Sequence, residues 1–170
     1  MPCPGEQLAG DAAGGVSHPG LVLEGAVLAS LLPHRYPFLL VDRIRIIEPG
    51  RRAIGSKRVT AGEWWCASSG AEPAAREVMT MPYSLVIEAL AQTTCALMLE
   101  GIDGASGATA YFAAADRVRL RRGARPGDVL QLAVTLVSWR RGICRTQGVA
   151  TVDGALVASA TLTTMMRATA

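Results

Sequence analysis

The stretch of residues 81–101 constrains the fold of this chain most strongly, because it predicts one long and nearly apolar helix. The leucine, alanine, glutamine and methionine residues along it favour helices. Pro82 suits the first turn, where its missing N–H costs nothing, and Gly101 is expected to end the helix in a left-handed cap. Few of its side chains are polar: Ser84, Glu88, Gln92, Thr93, Thr94 and Glu100. Since little of its circumference can face water, we expect the rest of the chain to surround this helix.

Glu88 is the residue of this helix that most needs an explanation. A carboxylate on an apolar helix is costly unless it is paired, hydrogen-bonded or protonated. One interpretation places it on a narrow wet stripe with Ser84 and Gln92, which lie one turn away on either side. The other makes it a functional acid whose pKa is raised by an apolar pocket. Helix geometry alone leaves both interpretations open.

Composition limits the classes of protein to which the chain can belong. Its 170 residues, half of them hydrophobic, suffice for a single domain, which we place at residues 21–170. Residues 1–20 are expected to form a flexible tail, since they have neither the basic start nor the apolar centre of a signal peptide. No apolar run reaches the ~20 residues of a membrane span. We therefore expect no membrane partner. A net charge of +3, without aromatic residues among the basic clusters, favours an acidic partner over nucleic acid.

The cysteines and histidines restrict the possible chemistry further. The four cysteines are scattered along the chain: Cys3, Cys66, Cys95 and Cys144. Their spacing fits neither a metal site nor a disulfide framework, so we expect no metal, and free thiols in a reducing cytoplasm. His18 and His34 are the only histidines of the sequence. General-base chemistry by histidine is therefore limited to two positions.

The remaining pattern predicts an α+β arrangement. Residues 21–32 begin with an apolar pattern compatible with a short helix, which Pro33 interrupts. Turn residues at 48–50, 142 and 153–154 separate strand-like stretches, and the last of these turns is a strong hairpin signal. The predicted strands are residues 38–47, 51–60, 108–114, 129–139, 143–152 and 155–167. We therefore expect the long helix to pack against an antiparallel sheet of about five or six strands.

Several motifs of the chain resemble those of one family. Residues 32–43, Leu-Pro-His-Arg-Tyr-Pro-Phe-Leu-Leu-Val-Asp-Arg, are very similar to the opening signature of the FabZ-type 3-hydroxyacyl-[acyl-carrier-protein] dehydratases. Residues 87–92, Ile-Glu-Ala-Leu-Ala-Gln, look like the central-helix motif of that family. Further matches in order and spacing are Tyr111-Phe112, residues 119–128 and residues 148–154. The resemblance covers residues 31–166 and implies a hotdog fold, in which the sheet wraps the central helix, and dimers whose sheets join edge to edge.

The resemblance also implies a mechanism that two subunits share. In this family a loop histidine of one subunit removes the α-proton of an acyl thioester, and a helix glutamate of the other subunit assists loss of the β-hydroxyl. Glu88 matches that glutamate, whereas Ser69, or Ser68, stands at the position of the loop histidine. No histidine follows His34, to which we assign a structural role. The substrate would be carried on the phosphopantetheine of an acyl carrier protein, and no cofactor is implied.

Two groups of residues are expected around the substrate. Tyr83 stands where the family has glycine, and it belongs to a set that we expect to bind the acyl chain or to obstruct its tunnel: Tyr83, Gln92, Trp64, Trp65 and Phe112. A basic rim around the tunnel mouth would attract an acidic carrier protein. We expect this rim to contain Arg117, Arg119, Arg121, Arg122 and Arg125.

Three functions remain open on this basis. The chain could be the degenerate half of a heterodimeric dehydratase in fatty-acid or polyketide synthesis, inactive alone and donating Glu88 to a site whose histidine comes from a paralogue. It could instead act as a homodimer in thioester hydrolysis or double-bond isomerisation through Glu88, and either kind of dimer could assemble into a higher oligomer. It could also be a non-catalytic module that binds an acyl carrier protein or an acyl chain. We favour the first, because a binding module has no need for a costly carboxylate on an apolar helix.

Overall fold

A seven-stranded antiparallel sheet packs against one long helix in the computed structural model, which describes residues 19–67, 79–101 and 108–168. The described helices are α1 Gly25–Leu31, α2 Trp64–Ala67 and α3 Tyr83–Gly101. The strands are β1 Val22–Glu24, β2 Arg43–Glu48, β3 Arg52–Arg58, β4 Ala108–Leu120, β5 Val129–Arg140, β6 Ile143–Val152 and β7 Ala155–Ala168. They lie in the order β1-β2-β3-β5-β6-β7-β4. This is the hotdog arrangement that the resemblance implies.

Helix α3 forms the centre of the hydrophobic core. Every residue from Ala89 to Met98 is buried, so the helix is enclosed on all sides over this length, as its apolar pattern predicts. The polar side chains that it buries there are hydrogen-bonded. Oγ1 of Thr93 donates to the carbonyl of Ala89 at 2.9 Å, and the hydroxyls of Thr94 and Thr146 lie 3.0 Å apart. The core can therefore include these threonines without leaving their hydroxyls unpaired.

Two glycines allow α3 to approach the sheet closely. A Cβ at Gly55 would lie 2.5 Å from Oγ1 of Thr93, and a Cβ at Gly101 would lie 2.0 Å from the backbone nitrogen of Gly50. The predicted left-handed cap at Gly101 is wrong, since its φ lies outside the left-handed region. Glycine is required at this helix end because the turn between β2 and β3 leaves no space for a side chain.

The sheet differs from the prediction at three places. Strand β2 begins at Arg43 rather than at residue 38, because the N–H groups of Phe38 and Leu39 donate to the carbonyl of Arg35 in a turn. It has seven strands rather than five or six, because residues 22–24, expected to begin a helix, pair with β2 instead. Strand β4 continues to Leu120 rather than ending at residue 114, and a bulge between Asp116 and Arg119 accommodates Arg117 at a φ of 52°. The predicted bounds of β6 are confirmed, as is the hairpin at Asp153-Gly154, where both residues have positive φ.

None of the cysteines in the described part of the chain forms a disulfide, as expected: Cys66, Cys95 and Cys144. Burial raises the pKa of Cys95 and of Cys144 to about 12, and burial together with the carboxylate of Glu63 raises the pKa of Cys66. None of the three is therefore prepared to act as a thiolate nucleophile at neutral pH. Within the described ranges, no helix has the length and apolar character that crossing a bilayer would require.

Candidate active site

The carboxylate of Glu88 is the centre of the candidate site. It lies in the second turn of α3, and its side chain is 30% exposed. Its Oε1 lies 3.3 Å from Nε2 of His34 and accepts a hydrogen bond of 3.0 Å from Nε2 of Gln92. Two side chains thus hold one carboxylate oxygen. The glutamate remains accessible to a molecule in the adjacent cavity.

Gln92 brings His34 to this glutamate. Its side chain is almost fully buried, and its Nε2 also donates to the carbonyl of Phe38 at 2.6 Å. Its Oε1 accepts from the backbone N–H of Leu40 at 3.0 Å. These hydrogen bonds hold residues 38–40 against α3, although more than fifty residues separate the partners in the sequence. His34 lies just before this tied segment, so its ring is held against Glu88.

The second ring nitrogen of His34 defines the position of the proton. Nδ1 is buried and has no hydrogen-bond partner among the described residues. A buried N–H without an acceptor costs more than a buried lone pair, so we place the proton on Nε2, where it faces the carboxylate. His34 thus lies within the candidate site, although the sequence suggests only a structural role for it.

Glu88 is an ionised carboxylate in this environment. Its pKa is lowered, mainly because it accepts a hydrogen bond from His34 and also because it accepts one from Gln92. Burial acts in the opposite direction and is outweighed. The expectation of a raised pKa is therefore wrong, because the pocket supplies two donors to the charged form. The interpretation that places Glu88 on a solvent-exposed stripe with Ser84 and Gln92 is wrong as well, since Gln92 is buried.

Two cavities meet at the His34–Glu88 pair. An open cleft of about 620 Å³ extends toward the N-terminal end of α3. Its other lining residues are Phe38, Trp64, Pro82, Ser84 and Leu85. A chamber of about 70 Å³ lies on the C-terminal side of Glu88. Its other lining residues are Ala91, Gln92, Cys95, Ala110, Phe112 and Thr164. The volume of the cleft falls in the range of small-molecule sites.

The residues expected to bind the acyl chain occupy different places. Trp64 lines the cleft and packs near Phe38, with ring centroids 5.9 Å apart, and Phe112 lines the chamber. Trp65 packs edge-on against Trp64 and does not line either cavity. Tyr83 does not line them either, and its hydroxyl donates to the carbonyl of Arg121 at 2.7 Å. Substrate contacts by all of these residues stay predictions.

A buried ion pair positions the short helix that carries Trp64. Lys57, which is 7% exposed, pairs through Nζ with Oε1 of Glu63, the residue before α2. A buried lysine is costly unless paired, so this contact fixes the start of α2 to strand β3. Ser69 and Ser68, at the expected histidine position, lie outside the described residues.

All five arginines of the expected basic rim are exposed, at the end of β4 and in the connection to β5: Arg117, Arg119, Arg121, Arg122 and Arg125. Nη2 of Arg122 pairs with Oδ2 of Asp128 at 2.8 Å. The hydrogen bond from Tyr83 to the Arg121 carbonyl joins this segment to the N-terminal end of α3, where the cleft lies. The basic segment and the cleft are thus parts of the same end of the molecule.

Comparisons with known proteins agree with this architecture. The model of the FabA-like domain family matches residues 32–161. The 3-hydroxyacyl-[acyl-carrier-protein] dehydratase FabZ of Roseiflexus sp. (strain RS-1) is 46% identical over 130 residues, which are 76% of this chain and 87% of that protein. FabZ of Bacillus subtilis (strain 168) is 42% identical over 142 residues, 84% of this chain and 96% of the relative.

Solved structures show the same fold. A chain of the dehydratase heterocomplex ApeI:P from Xenorhabdus doucetiae superimposes with a TM-score of 0.64 at 17% identity, covering 81% of this chain and 89% of that one. The FabA-like model spans most of the sequence, and relatives close to half identical align over nearly their whole length. The chain therefore belongs to the FabZ-type 3-hydroxyacyl-[acyl-carrier-protein] dehydratase family.

Proposed function

We propose that this chain takes part in removing water from 3-hydroxyacyl groups that are bound as thioesters to an acyl carrier protein. The observation that carries this proposal is the position of Glu88, a carboxylate held on one oxygen by His34 and Gln92 where the cleft meets the chamber. The names of the FabZ relatives supply the reaction and the carrier. The reaction needs no cofactor, and its setting is fatty-acid or polyketide synthesis in the cytoplasm.

The ionised state of Glu88 decides which part of the reaction it performs. A carboxylate cannot donate a proton, so Glu88 accepts a hydrogen bond from the β-hydroxyl through its second oxygen and holds that hydroxyl in place. A histidine base removes the proton from the α-carbon, and the electron pair of that C–H bond forms the double bond to the β-carbon. As the bond between the β-carbon and oxygen breaks, the histidine returns the proton to the leaving hydroxyl, which departs as water.

The base comes from a second subunit in this proposal. His34 is already engaged with Glu88, and no histidine follows it in the sequence. We therefore propose that the chain pairs with a histidine-bearing paralogue, contributes Glu88 to one complete site, and is inactive as a homodimer. The solved structure that shares this fold belongs to a dehydratase heterocomplex, which supports pairing of this chain with a different one.

The five exposed arginines are proposed to dock the carrier protein: Arg117, Arg119, Arg121, Arg122 and Arg125. Carrier proteins of this kind are acidic, so complementary charge would steer the encounter. The link through Tyr83 to the cleft end of α3 supports the assignment, since the phosphopantetheine arm must reach Glu88 through the cleft.

The test is co-expression with hotdog paralogues, native mass spectrometry of the purified complex, and an assay of 3-hydroxyacyl-carrier dehydration. We expect Glu88→Gln to lower the rate by about 100-fold or more, the scale of a lost group that acts directly on the substrate. Glu100→Gln is the matched control, since Glu100 lies on the same helix and outside both cavities. Its rate should remain unchanged.

Other outcomes of the same assay would overturn the proposal. If the rate of Glu88→Gln stayed within a few-fold of the wild-type rate, Glu88 would have no direct role in the reaction. Dehydration by the homodimer alone would remove the need for a paralogue. Release of the free acid would indicate a thioesterase, and a shifted double bond an isomerase. Carrier binding without turnover in any complex would indicate a binding module.

A further inference from the structure

The chamber on the C-terminal side of Glu88 contains a hydroxyl without a partner. Thr164 of strand β7 is 3% exposed and lines this chamber, and its Oγ1 has no hydrogen-bond partner among the described residues. The buried threonines of α3 differ, because Thr93 and Thr94 are both hydrogen-bonded. A buried hydroxyl that is left unpaired destabilises a fold. The position of Thr164 therefore calls for a polar atom inside the chamber.

The size of the chamber limits what can supply that atom. A cavity of about 150 Å³ holds a benzene ring, so the ≈ 70 Å³ found here has room for roughly three non-hydrogen atoms. Apart from Thr164 and the polar groups near Glu88, its walls are Ala91, Cys95, Ala110 and Phe112. The chamber thus offers a short apolar passage with one hydrogen-bonding group.

We propose that this chamber binds the distal end of a short 3-hydroxyacyl chain that carries an oxygen on its fifth carbon, with Thr164 hydrogen-bonded to that oxygen. The inference rests on the proposed function, which brings the thioester through the cleft and places the β-hydroxyl at Glu88. The fourth carbon, the fifth carbon and its oxygen are then the three atoms that fill the chamber. An unsubstituted alkyl end would fill the same space but leave the Thr164 hydroxyl unpaired.

The experiment compares the binding of two pantetheine amides of equal size to the full-length chain, in complex with its paralogue where one forms. One carries a 3,5-dihydroxypentanoyl group and the other a 3-hydroxyhexanoyl group, so a terminal hydroxyl replaces a methyl. Isothermal titration should show about tenfold tighter binding of the dihydroxy compound, the scale of one hydrogen bond. Thr164→Val should abolish this preference, and Thr164→Ser should retain it.

Thr163→Val is the matched control, because neighbouring strand residues point to opposite faces of the sheet, and it should keep the preference. Equal binding of both amides by the wild-type protein would overturn the inference and indicate that water fills the chamber. A preference that persists in Thr164→Val would overturn it as well. Failure of the proposed function would give a different result. The complex would then not dehydrate the 3-hydroxyhexanoyl thioester, while the wild-type protein would still bind the dihydroxy amide more tightly.

Discussion

The two halves of helix α3 make different kinds of contact with the rest of the molecule. The half up to Gln92 carries a charged side chain, borders both cavities and is tied by hydrogen bonds to residues 38–40. The half from Thr93 onward is buried as far as Met98, and it makes close glycine contacts with no space for a further carbon atom. The first half depends on polar contacts with His34 and residues 38–40, and the second mainly on close packing, with one hydrogen bond to the sheet between Thr94 and Thr146. Substitutions in the two halves should therefore affect different properties.

The largest effect on stability is expected at the C-terminal end of α3. Gly101→Ala would place a Cβ 2.0 Å from the backbone nitrogen of Gly50, and backbone cannot rotate away as a side chain can. We expect the free energy of unfolding to fall by about 1–3 kcal/mol, measured by urea denaturation. Gly62→Ala is the control, since the nearest atom would be 4.0 Å away, and its stability should be unchanged. An equally stable Gly101→Ala variant would show that the turn at Gly50 can move away from this end of the helix.

A smaller, pH-dependent effect is expected in the N-terminal half. His34→Ala removes the hydrogen bond that contributes most to lowering the pKa of Glu88, while burial, which raises it, remains. Because the folded pKa of Glu88 is below the ordinary value of 4.5, the wild type gains stability above that pH and loses it as the pH falls through the folded pKa. The stability difference between wild type and variant should therefore be largest near neutral pH and shrink in acid.

The measurement is urea denaturation from neutral to acidic pH, together with NMR titration of the Glu88 carboxyl. Arg51→Ala serves as the control, because it removes only an exposed partner of Glu48, 3.0 Å away, and should cost little at any pH. An unchanged Glu88 titration in His34→Ala would mean that the histidine does not hold the carboxylate.

The smallest effect on the fold is expected from the exposed arginines. Reversing Arg121 and Arg122 to glutamate should weaken binding of an acidic carrier protein about tenfold at low salt, with the difference fading as salt is added. Stability should change by no more than about 1 kcal/mol, because the ion pair lost between Arg122 and Asp128 lies at the surface. The control reverses Arg51 and Arg52, which lie beside Gly50 at the opposite end of α3. Equal loss of affinity in both pairs would indicate general charge attraction instead of docking at the cleft end.

Local patterns in the sequence predict the elements but not the site. The long helix, the hairpin at Asp153-Gly154 and the bounds of β6 follow from residue preferences within each segment. Strand β1 does not, because three residues become a strand only by pairing with β2. The contact of His34 with Glu88 likewise depends on a tertiary arrangement, the attachment of residues 38–40 to Gln92. The lowered pKa of Glu88 follows from that contact and could not be predicted without it.

The bonds of Gln92 to Phe38 and Leu40 have a consequence for the order in which the site is made. The ribosome produces residues 34–40 first, and their partner on α3 follows more than fifty residues later. Until that helix is synthesised and packed, the histidine has no carboxylate beside it and the main-chain groups of Phe38 and Leu40 have no amide to bind. In a chain that is synthesised only as far as residue 40, the contacts of the site are therefore not yet formed. They form only when the helix packs against residues 34–40.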